Sequence, residues 1–252
     1  MITYQKKFIS IAEAWFGEEP TASGVDVVRC FQRAAPMSDA LCREFHTILI
    51  ELTQEPDELL AHMKRDNRYE IRRALTTDNL IYECWDANQS AMLAQFSDSY
   101  DEFAALKSLP KLDRRWLSLM ADTGGLTLTT VKESAGDSLI WHVYYRSGSR
   151  ATLLYSVSPS PFANNSAERN RRGRANRFHH WRDMLKFREE GATLYDLGGW
   201  YAGVEDRHRL NINRFKEEFG GDVITNYICE RAMTLKGKLF LRTRQLLLGD
   251  AI

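Results

Sequence analysis

Apolar residues along this chain switch repeatedly between alternation and helical spacing, and the switches mark the elements. Alternating or short continuous apolar runs predict strands over residues 2–9, 25–31, 47–52, 80–85, 126–131, 138–145, 151–156, 193–197 and 223–229. Helical spacing predicts a helix over 88–106, on which Met92, Phe96, Tyr100 and Phe103 repeat, and another over 112–120 carrying Trp116 and Leu119. Glu55-Pro56-Asp57-Glu58 puts proline and acids where a helix first turn favours them, and sends Leu59, Leu60 and Met63 inward. Residues 37–44 read as helix or loop, 200–210 as a polar loop, and 211–219 and 239–248 as helices. Turns are expected at Ala135-Gly136-Asp137, at Ser147-Gly148-Ser149 and through Pro159-Ser160-Pro161.

The second half therefore runs as a three-stranded meander, a helix, a strand, a helix, a strand and a helix. A doubly wound nucleotide fold would alternate strand and helix throughout, so the order favours an α+β sheet. The glycine patterns of dinucleotide and phosphate loops, the nucleophile elbow and the H-E-x-x-H zinc helix are all absent. Composition fits a soluble globular protein, with 44% hydrophobic and 27% charged residues. Because 34 basic residues balance 34 acidic ones, an anionic partner must be met by a local patch. Cys30, Cys42, Cys84 and Cys229 show no metal-ligand spacing and read as free thiols. No run of 18 apolar residues and no apolar leader segment occurs, so a cytoplasmic protein without a membrane span is expected.

The densest local patch lies between Arg169 and Gly199. Arg169, Arg171, Arg172, Arg174 and Arg177 surround Gly173. A helix-period run with Phe178, Trp181 and Leu185 on one face follows, ending at Gly191, and a short strand then stops at Gly198 and Gly199. The pattern reads as a cationic loop feeding a helix N-terminus, where backbone N–H groups and the helix dipole reinforce arginine for an anion. The plainer alternative is a solvated arginine surface over an aromatic core. Farther back, Lys64, Arg68 and Arg72 recur every four residues, and Ile71 and Leu75 turn to the core. That face reads equally as an anion site or as a solvated helix side neutralised by Glu70.

Asn170-Arg171-Arg172-Gly173-Arg174-Ala175 resembles the (Gln/Arg)-x-x-Gly-x-(Gly/Ala) pyrophosphate loop of the GNAT acyltransferases, with Asn170 at its first position. Arg68-Tyr69-Glu70-Ile71-Arg72-Arg73-Ala74, Tyr195-Asp196-Leu197-Gly198-Gly199 and Phe215-Lys216-Glu217-Glu218-Phe219-Gly220 are similar, in that order, to motifs of the Fem family of non-ribosomal peptidyl transferases. The resemblance spans about residues 47–228 and implies a GNAT-like, mostly antiparallel mixed sheet flanked by helices. It implies a partial GNAT-like N-terminal half, 1–122, as the acceptor side, and a C-terminal half, 123–252, with the donor loop. The chain is shorter than the well-known Fem enzymes, without room for two complete GNAT domains or a coiled-coil arm.

The family moves an amino acid from aminoacyl-tRNA to an amine of a peptidoglycan precursor, and GNAT relatives use acetyl-CoA. Either reaction needs an amine to attack an ester or thioester carbonyl, a stabilised oxyanion and a proton acceptor. Asp196, His180 and Asp183 are the candidate catalytic groups, the last two being three apart on one helix. Each has a structural alternative: His180 as a surface residue, Asp183 paired with Lys186, and Asp196 capping its turn. Donor phosphate is assigned to Arg171, Arg172, Gly173, Arg174, Ala175 and Asn176, and the acceptor to Lys64, Arg68, Arg72 and Lys216. The resemblance places the oxyanion at a backbone N–H within 155–157. The donor is a substrate, aminoacyl-tRNA or acyl-CoA, with no bound cofactor or metal expected, and tRNA and a small or peptide amine as partners. The longer motif matches favour the aminoacyl donor. A GNAT-like fold without chemistry, binding RNA through its arginines and Phe178 or Trp181, is the reading from a different class.

Overall fold

The computed structural model describes residues 1–20, 23–86, 90–133, 136, 138–158 and 165–248, the last two of these by backbone alone. Ala135, Asp137 and the Pro159-Ser160-Pro161 turn lie outside the described residues, as does the expected start of a helix at 88–89. In chain order the elements are β1 (Ile2–Lys6), β2 (Ile9–Trp15), β3 (Val27–Arg33), β4 (Leu41–Glu51), α1 (Pro56–His62), α2 (Arg65–Thr77), β5 (Leu80–Asp86) and α3 (Ser90–Lys107). They continue with α4 (Arg114–Asp122), β6 (Leu126–Glu133), β7 (Ser138–Ser147), β8 (Arg150–Val157), α5 (Ser166–Glu189), β9 (Leu194–Trp200), α6 (Arg207–Glu217), β10 (Asp222–Ala232) and α7 (Leu235–Leu248).

Two contact-dense units divide the chain, one formed by 1–47 with 223–252 and the other by 48–222. These units are divided differently from the expected halves 1–122 and 123–252. In the first unit β1 and β2 form a hairpin turned at Lys7, with φ 58°, which splits the single strand expected over 2–9. β2 pairs in parallel with β3, and β3 pairs antiparallel with β10, so chain ends more than 190 residues apart close one unit. Local pattern carries no signal for such a pairing. Residues 37–44, read as helix or loop, instead turn into β4, whose Cys42 is bonded to Cys229 of β10 with Cα atoms 4.1 Å apart. The expectation of four free thiols is thus corrected; Cys30 and Cys84 remain free.

In the second unit the strand order is β4-β9-β8-β7-β6-β5. The meander β6–β8 is antiparallel and β5, joined to it through α3 and α4, pairs antiparallel with β6, whereas β8 and β9 run parallel with α5 as the crossover. The core joins α1, α2 and α5 to β4 and β9 through Leu59, Leu60, Ile71, Trp181, Met184, Phe187, Tyr195 and Leu197. Trp181, Met184 and Phe187 come from α5; of the predicted stripe Trp181 joins this core, Leu185 packs against it and Phe178 lies in a neighbouring cluster, and the helix stops where Gly191 takes a left-handed φ of 81°.

The arginine loop does not exist as such. α5 starts at Ser166, capped by the Asn165 side chain, which accepts the Glu168 N–H at 2.9 Å. Residues 171–176 therefore lie in the second and third turns of a helix. Gly173 has no left-handed φ, and a Cβ built there would meet nothing closer than the flexible end of Arg177 at 3.4 Å. Gly173→Ala is accordingly expected to stabilise the protein by about 0.5–1 kcal/mol, because glycine is the poorer helix former. Urea unfolding of the variant checks this; a loss of stability would restore a special role for the glycine.

Candidate active site

Two polar clusters occupy the interior of the second unit. The first is built on β7, where His142 and Tyr144, two apart, point to the same face and meet α5. The Asp183 carboxylate, fully buried, accepts from Tyr82 Oη at 2.9 Å, Tyr144 Oη at 2.8 Å and His142 Nδ1 at 2.7 Å. Tyr144 Oη lies 2.6 Å from Tyr195 Oη, which lies 2.7 Å from His180 Nδ1. Asp183 accepts only, and this fixes the direction of the whole chain. Tyr144 gives its proton to Asp183, Tyr195 gives its own to Tyr144, and His180 Nδ1–H donates to Tyr195. Burial, then the nearby Asp183 charge, pushes the Tyr82, Tyr144 and Tyr195 hydroxyls far up, so all three remain neutral donors.

His179 stacks on His142 with centroids 3.7 Å apart and planes within 4°, and its Nε2 meets Thr129 Oγ1 at 2.8 Å. His142, His179 and Asp183 bring donor atoms within 4.8 Å of one another. Parallel rings, however, send their in-plane lone pairs side by side and not to a common point, and Asp183 is already occupied by three donors. The arrangement is a hydrogen-bonded stack and a poor metal cage.

Burial drives the pKa of both His179 and His180 well below the ordinary value of 6.5, with neighbouring His142 adding to it, so both are neutral in the fold. The unfolded chain protonates them below about pH 6.5 while the folded one does not. Stability is therefore full above pH 6.5 and falls as pH drops below it, at up to about 2.7 kcal/mol per pH unit for two protons. Denaturation at pH 7.5, 6 and 5 tests this, and His179→Phe should flatten the slope by about half.

The second cluster sits where the pairing of β8 with β9 ends. Parallel pairing covers Arg150↔Leu194, Ala151↔Tyr195 and Thr152↔Asp196 and extends no further. On its other side β8 pairs Leu153 with Tyr144 and Tyr155 with Val143, so Leu154 is bulged out. At Gly198, φ 71°, a Cβ would come within 2.8 Å of the Leu153 carbonyl, and only glycine permits that approach. Beyond Thr152 and Asp196 no further β8–β9 register pair is formed among the described residues, while β8 itself runs on to Val157.

Asp196 anchors this junction. Its Oδ2 accepts from Arg150 Nη2 at 2.6 Å, Arg150 Nε at 3.1 Å and Thr152 Oγ1 at 2.8 Å, while Oδ1 takes the Gly198 N–H at 2.8 Å. Lys216, on α6, donates from Nζ to the carbonyls of Gly198 at 3.0 Å and Gly199 at 2.5 Å. No carboxylate among the described residues forms an ion pair with it. Burial pulls its ammonium down to about 8, against the opposing pull of Asp196. Gly199 also lines a cavity of about 240 Å³ with Trp200, Tyr201, Arg209, Ile212 and Asn213. Lys216 thus holds two hydrogens on the glycine carbonyls, and its third Nζ position carries a proton below about pH 8 and a lone pair above it.

The sequence-derived residues divide as follows. His180 and Asp183 are connected, though through Tyr195 and Tyr144 and not directly, and Lys186 pairs with Glu190 in place of Asp183. The reading of His180 as a surface residue is corrected, since it is buried. Asp196 has both oxygens engaged, by Arg150, Thr152 and the Gly198 N–H. The residues assigned to donor phosphate all have partners within the protein. Arg171 pairs with Glu133 at 3.2 Å, Arg172 with Glu168, and buried Arg174 with Asp78 at 2.7 Å. Ala175 is core, and the Asn176 amide meets His142 Nε2 at 3.2 Å.

Of the acceptor set, Lys64 pairs with Glu217 at 3.3 Å, Arg68 donates to the Ala61 carbonyl at 2.5 Å, and Arg72 is exposed. Of these four, Lys216 bonds β9, at the Gly198 and Gly199 carbonyls. The three motif stretches nevertheless meet: Arg177 and Asn67 both bind Glu218, by its carboxylate and carbonyl respectively. Phe215 and Phe219 pack on His180 at 5.8 and 5.0 Å. His142, Tyr82, Tyr144, Tyr195 and Arg150 were missed; the polar pair His142/Tyr144 at one-residue spacing in a buried strand was the available signal.

A mostly antiparallel sheet with a helical crossover and one short parallel pair makes this an α+β fold, and that fold is similar to the fold of FemX and of two lysylphosphatidylglycerol synthetase structures. FemX matches over 82% of this chain with a TM-score of 0.61 and 17% identity, and the chain spans 65% of that FemX chain. The C-terminal domain of a protein assigned as a lysylphosphatidylglycerol synthetase from Agrobacterium fabrum matches over 97% of this chain and 84% of its own, with a TM-score of 0.57 and 14% identity. L-PGS from Bacillus licheniformis matches over 88% and 73%, at 0.53 and 13%. No protein-family model and no curated protein matches the chain by sequence.

Proposed function

We propose that this protein is an acyltransferase that forms an amide, moving an aminoacyl group from aminoacyl-tRNA to an amine of a peptide or amino-sugar precursor. The observation that carries the reading is Lys216, a half-buried cation held by two backbone carbonyls of β9 beside the last β8–β9 pair. The carbonyl carbon of the donor bonds to the amine nitrogen, its ester C–O bond breaks, and the tRNA hydroxyl leaves with the proton that the amine gives up. As the carbonyl oxygen gains charge, the third N–H of the Lys216 ammonium donates to it. In this reading a backbone N–H within 155–157 of β8 is the second donor to the same oxygen.

The aminoacyl donor is supported by the fold shared with FemX and with L-PGS, and by the loss of the feature that favoured CoA, since Gly173 is helical. The Asp183 network plays no part in proton transfer in this reading; it fixes Tyr195 and His180, and through them β9 and α6. Purified protein is given a charged, radiolabelled aminoacyl-tRNA pool or radiolabelled acetyl-CoA, with amine acceptors of both classes. Amide product from the tRNA pool alone supports the reading. Product from acetyl-CoA alone makes the protein an acyl-CoA-dependent N-acyltransferase, and RNA binding without product from either donor makes it a binding module.

A further inference from the structure

α7 packs on β2 and β3 through Leu241 and Phe240, which join Ile9, Ile11 and Val27. Gly237 lets it lie close, because a Cβ there would come within 2.0 Å of the Asp26 carbonyl. That contact uses one side of the helix. On the opposite side Leu235, Leu239 and Leu246, spaced four and seven residues apart, form one stripe, and they are 84%, 68% and 86% exposed. Three leucines so exposed on one stripe are not the scattered apolar residues of an ordinary surface.

The charges beside the stripe are all of one sign. Residues 235–248 contain Lys236, Lys238, Arg242 and Arg244 and no acid. Lys236 is paired with Asp26 and Arg244 with Glu230, toward the body of the unit. Lys238 and Arg242, four apart and exposed, flank the leucines and have no carboxylate partner among the described residues. An isologous contact with a second copy would set these cations against each other, and a nucleic acid would leave the leucines in water.

We infer that α7 is an interfacial helix that docks the protein on the surface of an anionic lipid bilayer. Its leucine stripe enters the headgroup–acyl boundary, and Lys238 and Arg242 meet lipid phosphates. No helix among the described residues is long and apolar enough to cross a membrane, so the association is peripheral.

The full-length protein is sedimented with phosphatidylcholine vesicles and with vesicles containing 30% phosphatidylglycerol, at 50 and 500 mM salt. Binding is expected to the anionic vesicles alone and to weaken at high salt. Lys238→Glu with Arg242→Glu should weaken partitioning by about thirtyfold or more. Leu239→Glu with Leu246→Glu should abolish it while thermal unfolding in solution stays unchanged. Equal binding to both vesicle types, or full binding by the leucine variant, overturns the inference. So does a wild-type dimer in size-exclusion chromatography that the leucine variant dissolves, since that assigns the stripe to a second copy.

Discussion

Replacing Lys216 by methionine is expected to lower kcat for acyl transfer by about 10²–10³, the usual effect of removing one oxyanion donor, with KM changed far less. Methionine keeps the length and apolar body of the side chain, so the loss reads the Nζ group and not the packing of α6. The two glycine carbonyls that lose their donor can turn to water. The pH profile separates two roles for the same atom. With its pKa near 8, Lys216 is mostly ammonium at neutral pH. If the ammonium steadies the oxyanion, wild-type kcat falls as pH rises through about 8. A kcat that rises through pH 8 assigns Lys216 as the base, and a variant with more than a tenth of wild-type kcat removes it from the chemistry.

What the sequence could disclose follows from how local each signal is. The β6–β8 meander and the apolar face of α5 were readable because their partners are neighbours or repeat at fixed spacing. The arginine-rich stretch was misread for a related reason. Charge and one glycine suggest a loop, but arginine is a good helix former, and the partners of Arg174, Arg171 and Arg177, namely Asp78, Glu133 and Glu218, lie on distant elements. The same distance hid the Cys42–Cys229 bond and the closure of the first unit by β10. Asp196 and Lys216 were found as motif members, yet their roles were not, because saturation by Arg150 and capture by glycine carbonyls exist only once β8, β9 and α6 are assembled.

Asp196→Ala is expected to destabilise the protein by about 3–5 kcal/mol, the cost of stranding a buried charge by deleting its partner. The carboxylate is fully buried and the Arg150 side chain only 10% exposed. Its loss strands a guanidinium and also leaves the Thr152 hydroxyl and the Gly198 N–H without their acceptor. Chemical denaturation reads the loss directly, and Asp196→Leu combined with Arg150→Met should recover most of it, since an apolar pair removes both charges together. A loss below about 1 kcal/mol in the single variant would mean the pair carries little of the junction. The double variant also tests the link to Lys216. Asp196 raises the Lys216 pKa, so without that carboxylate the falling limb of the kcat profile should move below pH 8, although Asp196 never touches the substrate. A limb that stays in place while stability recovers would confine Asp196 to holding β8 and β9 together.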